Sequence, residues 1–453
     1  MREVMPMQKR LNQTDIADIK ISTRSRDDTP NILKGLQYLY INDASREQLF
    51  LSLDKLLSDK QRRLGRKGMD LWSIFVMATL RVNLNWDYDR LEHMVNEHRT
   101  IRKMIGHGDF DDEYEYSLQT LKDNVRLLTP EILDEINQAA LNAGHGLAKK
   151  KDGETLSGRC DSFVVETNVH FPTDIGLLFD SLRKSIQLTR KACDREGISD
   201  WRQSAHNIRC IKQAWRKVQK SKKGGGKGKE ARVLAAHLNY VEIAQGYLER
   251  LRESFSKIKH NMLSLEIEPF LEDTDRQIDQ ICRRVIHGES IPSSEKVFSI
   301  FERHTEWINK GKAGGKIELG IKVCIIEDQY QFILQHHVME KESDSGIAEL
   351  IVKEAQSKYP DFKACSFDKG FDSADNQIKL KAILDTVTMP RKGKLSQERY
   401  AEEYTQEFIK TRHQHSAVES AINCLEHHGL DKCMDKGIDG FIPIEIYLMA
   451  FKI

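Results

Sequence analysis

KIELGIKVCIIEDQ, residues 316–329, places Ile317, Leu319, Ile321, Val323 and Ile325 in strict alternation with Glu318, Gly320, Lys322, Cys324 and Ile326. Successive side chains of a strand point to opposite faces, so this spacing predicts a strand with one firmly buried face. QFILQHHVM (331–339) pairs with it as a hairpin across EDQY (327–330). Then come a helix over 345–358, the strand KACSF (363–367), a helix after Ser373, the strand TVTMP (386–390) and a last helix through SAVESAINCLEHHG (416–429). An antiparallel pair followed by alternating helix and strand implies a mixed sheet with helices against it, an α/β fold class.

Upstream, CDSFVVETN (160–168) is rich in β-branched and aromatic residues and reads as a further strand of that sheet. It stops at HFPTD (170–174), where Thr173 or Asp174 is placed to cap a helix beginning at Ile175. From there to about residue 288 the pattern is helical, interrupted by KSKKGGGKGKE (220–230), which is either a flexible break between two long helices or the loop at the tip of a helical hairpin. Nearer the start, SREQLFLSLDKLL (45–57) has Ser45 and Gln48 in capping-box spacing ahead of Leu49, Leu53, Leu56 and Leu57 on one face. LWSIFVMATLRVNLNWDYDRLEHMVNEH (71–98) reads as the centre of a small bundle, and Thr129 with Pro130 opens another helix. The first forty or so residues carry no sustained periodicity. The expected organisation is an N-terminal arm (1–45), an all-helical domain (46–150), the first part of the α/β domain (151–174), a large helical insertion (175–289) and the remainder of the α/β domain (290–453).

A chain of 453 residues is too long for one ordinary core, and roughly two to four structural units are expected. Charged residues make up 31% and hydrophobic ones 39%, and no apolar run of about 18 residues occurs, which argues against a membrane-spanning chain. MREVMPMQKRLNQTDIADIK (1–20) has charges where an export signal needs an apolar stretch, so a cytoplasmic protein is expected. Eight cysteines are scattered without a CxxC pair, which is no disulfide framework. In CLEHHGLDKC (424–433) the grouping of Cys424, His427, His428 and Cys433 looks metal-like, but surface histidines and a half-buried thiol are the commoner outcome.

The formal net charge is only +1, so local charge matters more than any global field. From Arg202 to Lys229 there are ten Lys or Arg and no Asp or Glu, with Trp215 inside the run and Trp201 just before it. Arg202, Arg209, Lys212, Arg216, Lys217, Lys220, Lys222 and Lys223 are therefore candidate contacts to nucleic-acid phosphates, and the rings among them could stack on bases or simply pack. The bland alternative is a solvated helix followed by a linker.

Three carboxylates carry the candidate chemistry. In CSFDKGFDSADN (365–376), Asp368 directly follows a strand, Gly370 permits close backbone approach, and Ser373 or a neighbour starts the next helix. Ligands of open α/β sheets bind beyond the carboxyl ends of strands, which makes Asp368 a candidate metal ligand. Asp161 opens the strand DSFVVE, and if that strand lies beside KACSF the two carboxylates can share a cation. On the last helix Arg412, His415, Glu419, Asn423 and Glu426 form a polar stripe opposite Val418, Ala421, Ile422 and Leu425, which makes Glu419 the third candidate. A stripe of this kind usually faces solvent. Hard cations such as Mg²⁺ take oxygen ligands, and a pair of them stabilises both the attacking and the leaving oxygen of a phosphoryl displacement.

The order Asp161, Asp368, Glu419, in the contexts RCDSFVVETNVHFPTD, SFDKGFDSADN and HSAVESAINCLEHHGLDKC, resembles the DDE transposases of bacterial insertion sequences, the ISNCY-like group above all. HGESIPSSEKVFSIFERHTEWINKGKAGGKIELGIKVCIIEDQ (287–329) also resembles that family's linking segment, so the likeness runs from about residue 40 to the end. The resemblance implies an RNase H-like catalytic domain interrupted after its first strand by the helical insertion, with a helical N-terminal domain that binds element ends. It implies catalytic and metal-holding roles for Asp161, Asp368 and Glu419, Mg²⁺ (or Mn²⁺), two ions in all, and double-stranded DNA as partner, both terminal inverted repeats and target. Cleavage at an element end followed by attack of the freed 3′-hydroxyl on target DNA is the implied reaction, in a homodimer or larger assembly. Relatives often carry Arg four residues before the Glu and Lys seven after it; here His415 and Glu426 stand there, with Arg412 one turn further back as the candidate DNA contact. The closing IEIYLMAFKI (444–453) is shorter than the terminal helix the family leads one to expect, which points to a weak or inactive variant as the alternative. A nuclease of the same fold without joining activity and a transposase-derived DNA-binding protein are the competing readings.

Overall fold

Residues 317–328 form a central strand of a seven-stranded mixed sheet in the computed structural model, which describes residues 2–6, 12–57, 67–108, 113–151, 153–259, 262–309, 317–438 and 440–441. The strands are β1 (Leu156–Thr167), β2 (Glu306–Asn309), β3 (Ile317–Asp328), β4 (Ile333–Met339), β5 (Phe362–Phe367), β6 (Thr386–Thr388) and β7 (Lys432–Cys433). Their order is β2–β3–β1–β5–β6, with β4 also on β3 and β7 on β1. β3 runs antiparallel to both β1 and β4, whereas β1, β5 and β6 are mutually parallel. The closing IEIYLMAFKI and residues 310–316 of the linking segment lie outside the described residues.

Two glycines let the central strands close up. A Cβ at Gly320 of β3 would be driven into the carbonyl oxygen of Val165 on β1, and one at Gly158 would meet the Phe362 ring at 2.7 Å and Ile326 at 2.8 Å. β1 begins at Leu156, earlier than the sequence pattern implies, so Asp161 lies mid-strand rather than at its start. The reason is that Leu156, Gly158 and Cys160 already alternate into the core, with glycine and polar residues between them hiding the pattern.

The chain divides into two compact units, Met1–Asn168 with Ile308–Ile453, and Val169–Trp307. In the first unit, one sheet face carries Phe163, Val165, Ile321, Val323 and Ile325. It shares a single core with the helices α1 (Thr29–Ile41), α2 (Asp43–Asp54), α3 (Leu71–Asn83), α4 (Tyr88–Glu97), α5 (Arg99–Met104), α6 (Leu118–Val125) and α7 (Pro130–Leu147). Each fully enclosed aromatic or aliphatic side chain there, such as Trp72 or Phe75, contributes about 1.5–3 kcal/mol of burial. The arm expected over 1–45 therefore contains a helix: Pro30 opens α1, and Leu33, Leu36 and Leu39 bury its inner face, a short stripe that a longer window dilutes. α2 is capped by Asn42, whose side chain accepts from the Ser45 amide at 3.0 Å, and not by Ser45. The opposite sheet face, with Cys160, Cys324 and Ile326, packs on α12 (Asp344–Lys358) and α13 (Ala374–Ile383). α14 (Gln397–Glu403), α15 (Gln406–His415) and α16 (Ala417–Leu425) complete this unit.

The second unit is a bundle of α8 (Asp174–Glu196), α9 (Ser204–Ser221), α10 (Lys229–Lys257) and α11 (Met262–Ile281) around Leu178, Leu182, Ile211, Val218, Tyr240, Leu251 and Ile267. Thr173 caps α8 by accepting from the Gly176 amide. Between α9 and α10, Gly224, Gly226 and Gly228 all adopt positive φ, so the glycine-lysine stretch is a tight link between consecutive helices. The two tryptophans of the basic run pack inward. Trp201 is buried and donates to the Ser254 hydroxyl at 2.9 Å, and Trp215 stacks on Phe179 with ring centroids 5.2 Å apart. Neither ring is offered to a base: Trp215 packs inward from α9, and Trp201, in the turn before that helix, is buried in the bundle core.

Candidate active site

β5 covers β1 only over Leu156–Cys160, and β7 pairs only with Glu166 and Thr167. Between them the edge of β1 from Asp161 to Val165 carries no strand among the described residues. Asp161 is the first residue of this open edge. Cys160 pairs in register with Phe367, so Asp161 and Asp368 stand level on adjacent parallel strands, one step beyond the last paired residues. Asp368 then caps a short turn, Lys369–Phe371, by accepting from the Gly370 amide at 3.3 Å.

Glu419 comes from α16, whose Val418 and Leu425 sit in the same core as Phe163 and Val165. Side-chain alternation puts Asp161 on that same sheet face. Glu419 is solvent-exposed, beside the buried Val418. The polar stripe runs over two helices, since the turn at Ser416 divides Arg412 and His415 on α15 from Glu419 and Asn423 on α16. Asn423 lies on that second helix, while Glu426 follows its end.

Asp161 feels the charges of the other two carboxylates. Burial pushes the Asp161 carboxyl up to about 6; the Ser162 amide, donating to it at 2.7 Å, opposes this, while the charges of Asp368, Asp344 and Glu419 add to it. Among the described residues none of Asp161, Asp368 and Glu419 makes an ion pair. The donor set is all oxygen and uncompensated, which is the chemistry a hard divalent cation matches. Among the described residues no three acids, histidines or cysteines are gathered closely enough to hold an ion jointly.

Asp344, absent from the sequence-based candidates, belongs to this cluster. It opens α12 behind the N-cap Ser343, accepts from the Ser162 hydroxyl at 2.7 Å, and has Lys322 Nζ 3.3 Å from both its oxygens. A Cβ at Gly370 would lie 3.0 Å from Asp344 Oδ2, so the group that approaches this glycine closely is a carboxylate. A serine followed by an acid at the start of a helix after a hairpin, ESDSG (342–346), is the available signal, but it also describes any ordinary helix cap. His415 is the second addition. Its Nδ1 is 2.9 Å from the Ser366 hydroxyl, and its Nε2 is buried with no partner among the described residues. Burial lowers its pKa, and Asp368 and Glu419 act in the opposite direction.

Arg202, Arg209, Lys212, Arg216, Lys217, Lys220, Lys222 and Lys223 are all exposed, and none makes an ion pair among the described residues. Arg209, Lys212, Arg216 and Lys220 fall three or four residues apart along α9, opposite the buried Ile211, Ala214 and Val218. Arg412 is exposed on α15, where its charge reaches Glu403. The grouping in CLEHHGLDKC does not form a centre: the His428 ring N–H donates to the Asn83 carbonyl at 2.9 Å and Cys433 is buried. No helix among the described residues is long and apolar enough to cross a membrane. No family model, no curated protein and no solved structure matches this chain.

Proposed function

We propose that this chain is a metal-dependent DNA-cleaving and strand-joining enzyme, a transposase of the DDE kind with an RNase H-like core. The observation that carries the reading is Asp161 and Asp368 level on adjacent parallel strands, with Glu419 supplied by a helix over the same face. The strand order β4–β3–β1–β5–β6, with β3 antiparallel to both of its neighbours there, supports it, as does the helical unit entering the chain directly after β1.

Asp161, Asp368 and Glu419, which do not stand closely enough here to hold one ion jointly, would have to draw together around Mg²⁺, with Mn²⁺ as substitute and two ions in all. When bound, such ions offset the charge that develops on the attacking and leaving oxygens of a phosphodiester. The chain's own residues do the rest. Arg412 and the exposed cations of α9 grip DNA phosphates, and Asp344, tethered by Ser162 and Lys322, adds negative charge next to Asp161. Cutting two element ends in concert calls for at least a homodimer, and a DNA substrate of this kind is met in the cytoplasm, at the nucleoid.

The test is Asp368→Asn on DNA carrying the flanking sequences of this coding region. With Mg²⁺ or Mn²⁺, the native chain is expected to nick the ends and transfer strands, and the variant to bind but not cut. Intact strand transfer by Asp368→Asn would refute the assignment. A second reading, a transposase-derived DNA-binding protein, draws on the absence of a closely gathered ligand group among the described residues. It is favoured if the native chain binds its ends and never cuts them.

A further inference from the structure

β6 ends at the same side of the sheet as β5, since Ser366 pairs in parallel register with Thr388. The segment after it is therefore, with that of β5, the second carboxyl end to reach the level of Asp368, the position where open α/β sheets receive ligands. From Thr386 to Gln397 this segment holds Arg391, Lys392 and Lys394 and no acid.

The segment is fastened at its backbone and open at its charges. The Arg391 amide donates to the buried Glu403 carboxylate at 3.0 Å, and the Lys392 amide donates to Asp372 at 2.8 Å. Lys392 Nζ donates to the Gly370 carbonyl at 2.9 Å, which ties the segment to the turn that begins at Asp368. By contrast Arg391 Nε is buried and has no acceptor among the described residues. A buried donor left unmade is costly, the more so on a charged group, so an acceptor is wanted there. Lys369, Lys392 and Lys394 are exposed, and none of these three or Arg391 makes an ion pair among the described residues. Beside Glu403, Tyr400 and Tyr404 are exposed and stacked with ring centroids 4.0 Å apart, a flat face suited to a nucleobase.

We propose that Arg391 and Lys392, with Lys369 and Lys394 beside them, form a clamp for the phosphodiester backbone of the DNA strand lying against Asp368. This rests on the reading of Asp368 as part of the active site. Arg391 acts as a positioning residue: its guanidinium matches two phosphate oxygens, and its backbone is held by Glu403, so little freedom is lost on binding.

The experiment measures binding of the full chain to a fluorescent DNA duplex in EDTA over a range of salt, for the native protein, Arg391→Gln, Arg391→Lys and the exposed pair Lys369→Gln with Lys394→Gln. Each phosphate no longer neutralised lowers the slope of log affinity against log salt by about 0.9, so both Gln variants are expected to bind about five- to tenfold more weakly, with a shallower slope. Arg391→Lys is expected to regain the slope but not the full affinity. Unchanged affinity and slope in the exposed pair would overturn the clamp even if Arg391→Gln fails to fold, because those two exposed side chains make no hydrogen bond or ion pair among the described residues. Inorganic phosphate displacing DNA better than chloride at equal ionic strength would indicate a free-phosphate pocket and also overturn it. Mg²⁺ cleavage separates the two readings. Weaker binding by the variants of a chain that never cuts keeps the clamp and removes the catalytic role of Asp368, and equal binding in a chain that cuts does the reverse.

Discussion

Asp161 stands in the middle of a strand, half-buried, and this burial, with the charges of three other acids added to it, raises its proton affinity against the pull of the Ser162 amide. Its carboxyl titrates at about 6 in the folded chain. The usual aspartate value is near 4, so between about pH 4 and 6 the folded form keeps a proton that the unfolded form has shed, and stability falls as pH rises through that window. Asp161→Asn is thus expected to stabilise the metal-free protein at pH 8, on the order of 2 kcal/mol, and to leave it unchanged at about pH 4. Urea denaturation in EDTA at the two pH values checks this; equal stability of native and variant at the higher pH would show that the like charges around Asp161 do not matter. Single residues are legible in the sequence where a charge breaks an apolar run, as at Asp368 after KACSF. Asp344 is not, because a helix-opening acid looks the same whether or not a strand from far along the chain brings Ser162 to it.

Elements are legible in proportion to their periodicity. β3 follows from strict alternation, β4 from its place as the hairpin partner of β3, and α8 and α13 from their caps Thr173 and Ser373. Only the second half of β1 shows itself, because Ser157, Gly158 and Arg159 carry no strand signal of their own. α1 hides in the arm since its stripe is so short. The division at Ser416 is invisible too, as the residues on either side continue the same helical spacing. What the pattern of β3 does not reveal is that Gly320 exists for β1. Gly320→Ala would press a methyl group against backbone that no rotamer change can move, and a loss of about 3 kcal/mol or more is expected, larger than ordinary overpacking. An unchanged urea midpoint would mean the β1–β3 ladder is not as tightly closed as described, and with it the placement of Asp161.

The two compact units present different charges. The helical unit Val169–Trp307 presents a row of cations on α9, and the unit with the sheet presents the acids. Composition points to the cations but misjudges the tryptophans, whose burial depends on Phe179 and Ser254 from neighbouring helices. If α9 binds phosphates, replacing Arg209, Lys212 and Arg216 by Gln should cost more affinity than replacing Lys222, Lys223 and Lys227. Cations on a formed helix lose less freedom on binding than those at the glycine-rich link. Salt-dependent binding of each triple variant measures this, and an unchanged salt slope in both would make the basic run a solvated surface only.

Every functional step rests on Asp161, Asp368 and Glu419 serving one site despite lying far apart in the chain. Mn²⁺ binding to the full-length protein, followed by electron paramagnetic resonance, addresses this without depending on any DNA substrate. The native chain is expected to bind Mn²⁺, and Asp161→Asn, Asp368→Asn and Glu419→Gln each to weaken it by about tenfold or more, since each removes a charged oxygen ligand. Glu426→Gln, past the end of α16, should bind as the native chain does. Native-like Mn²⁺ binding by all three variants would show that these acids share no site.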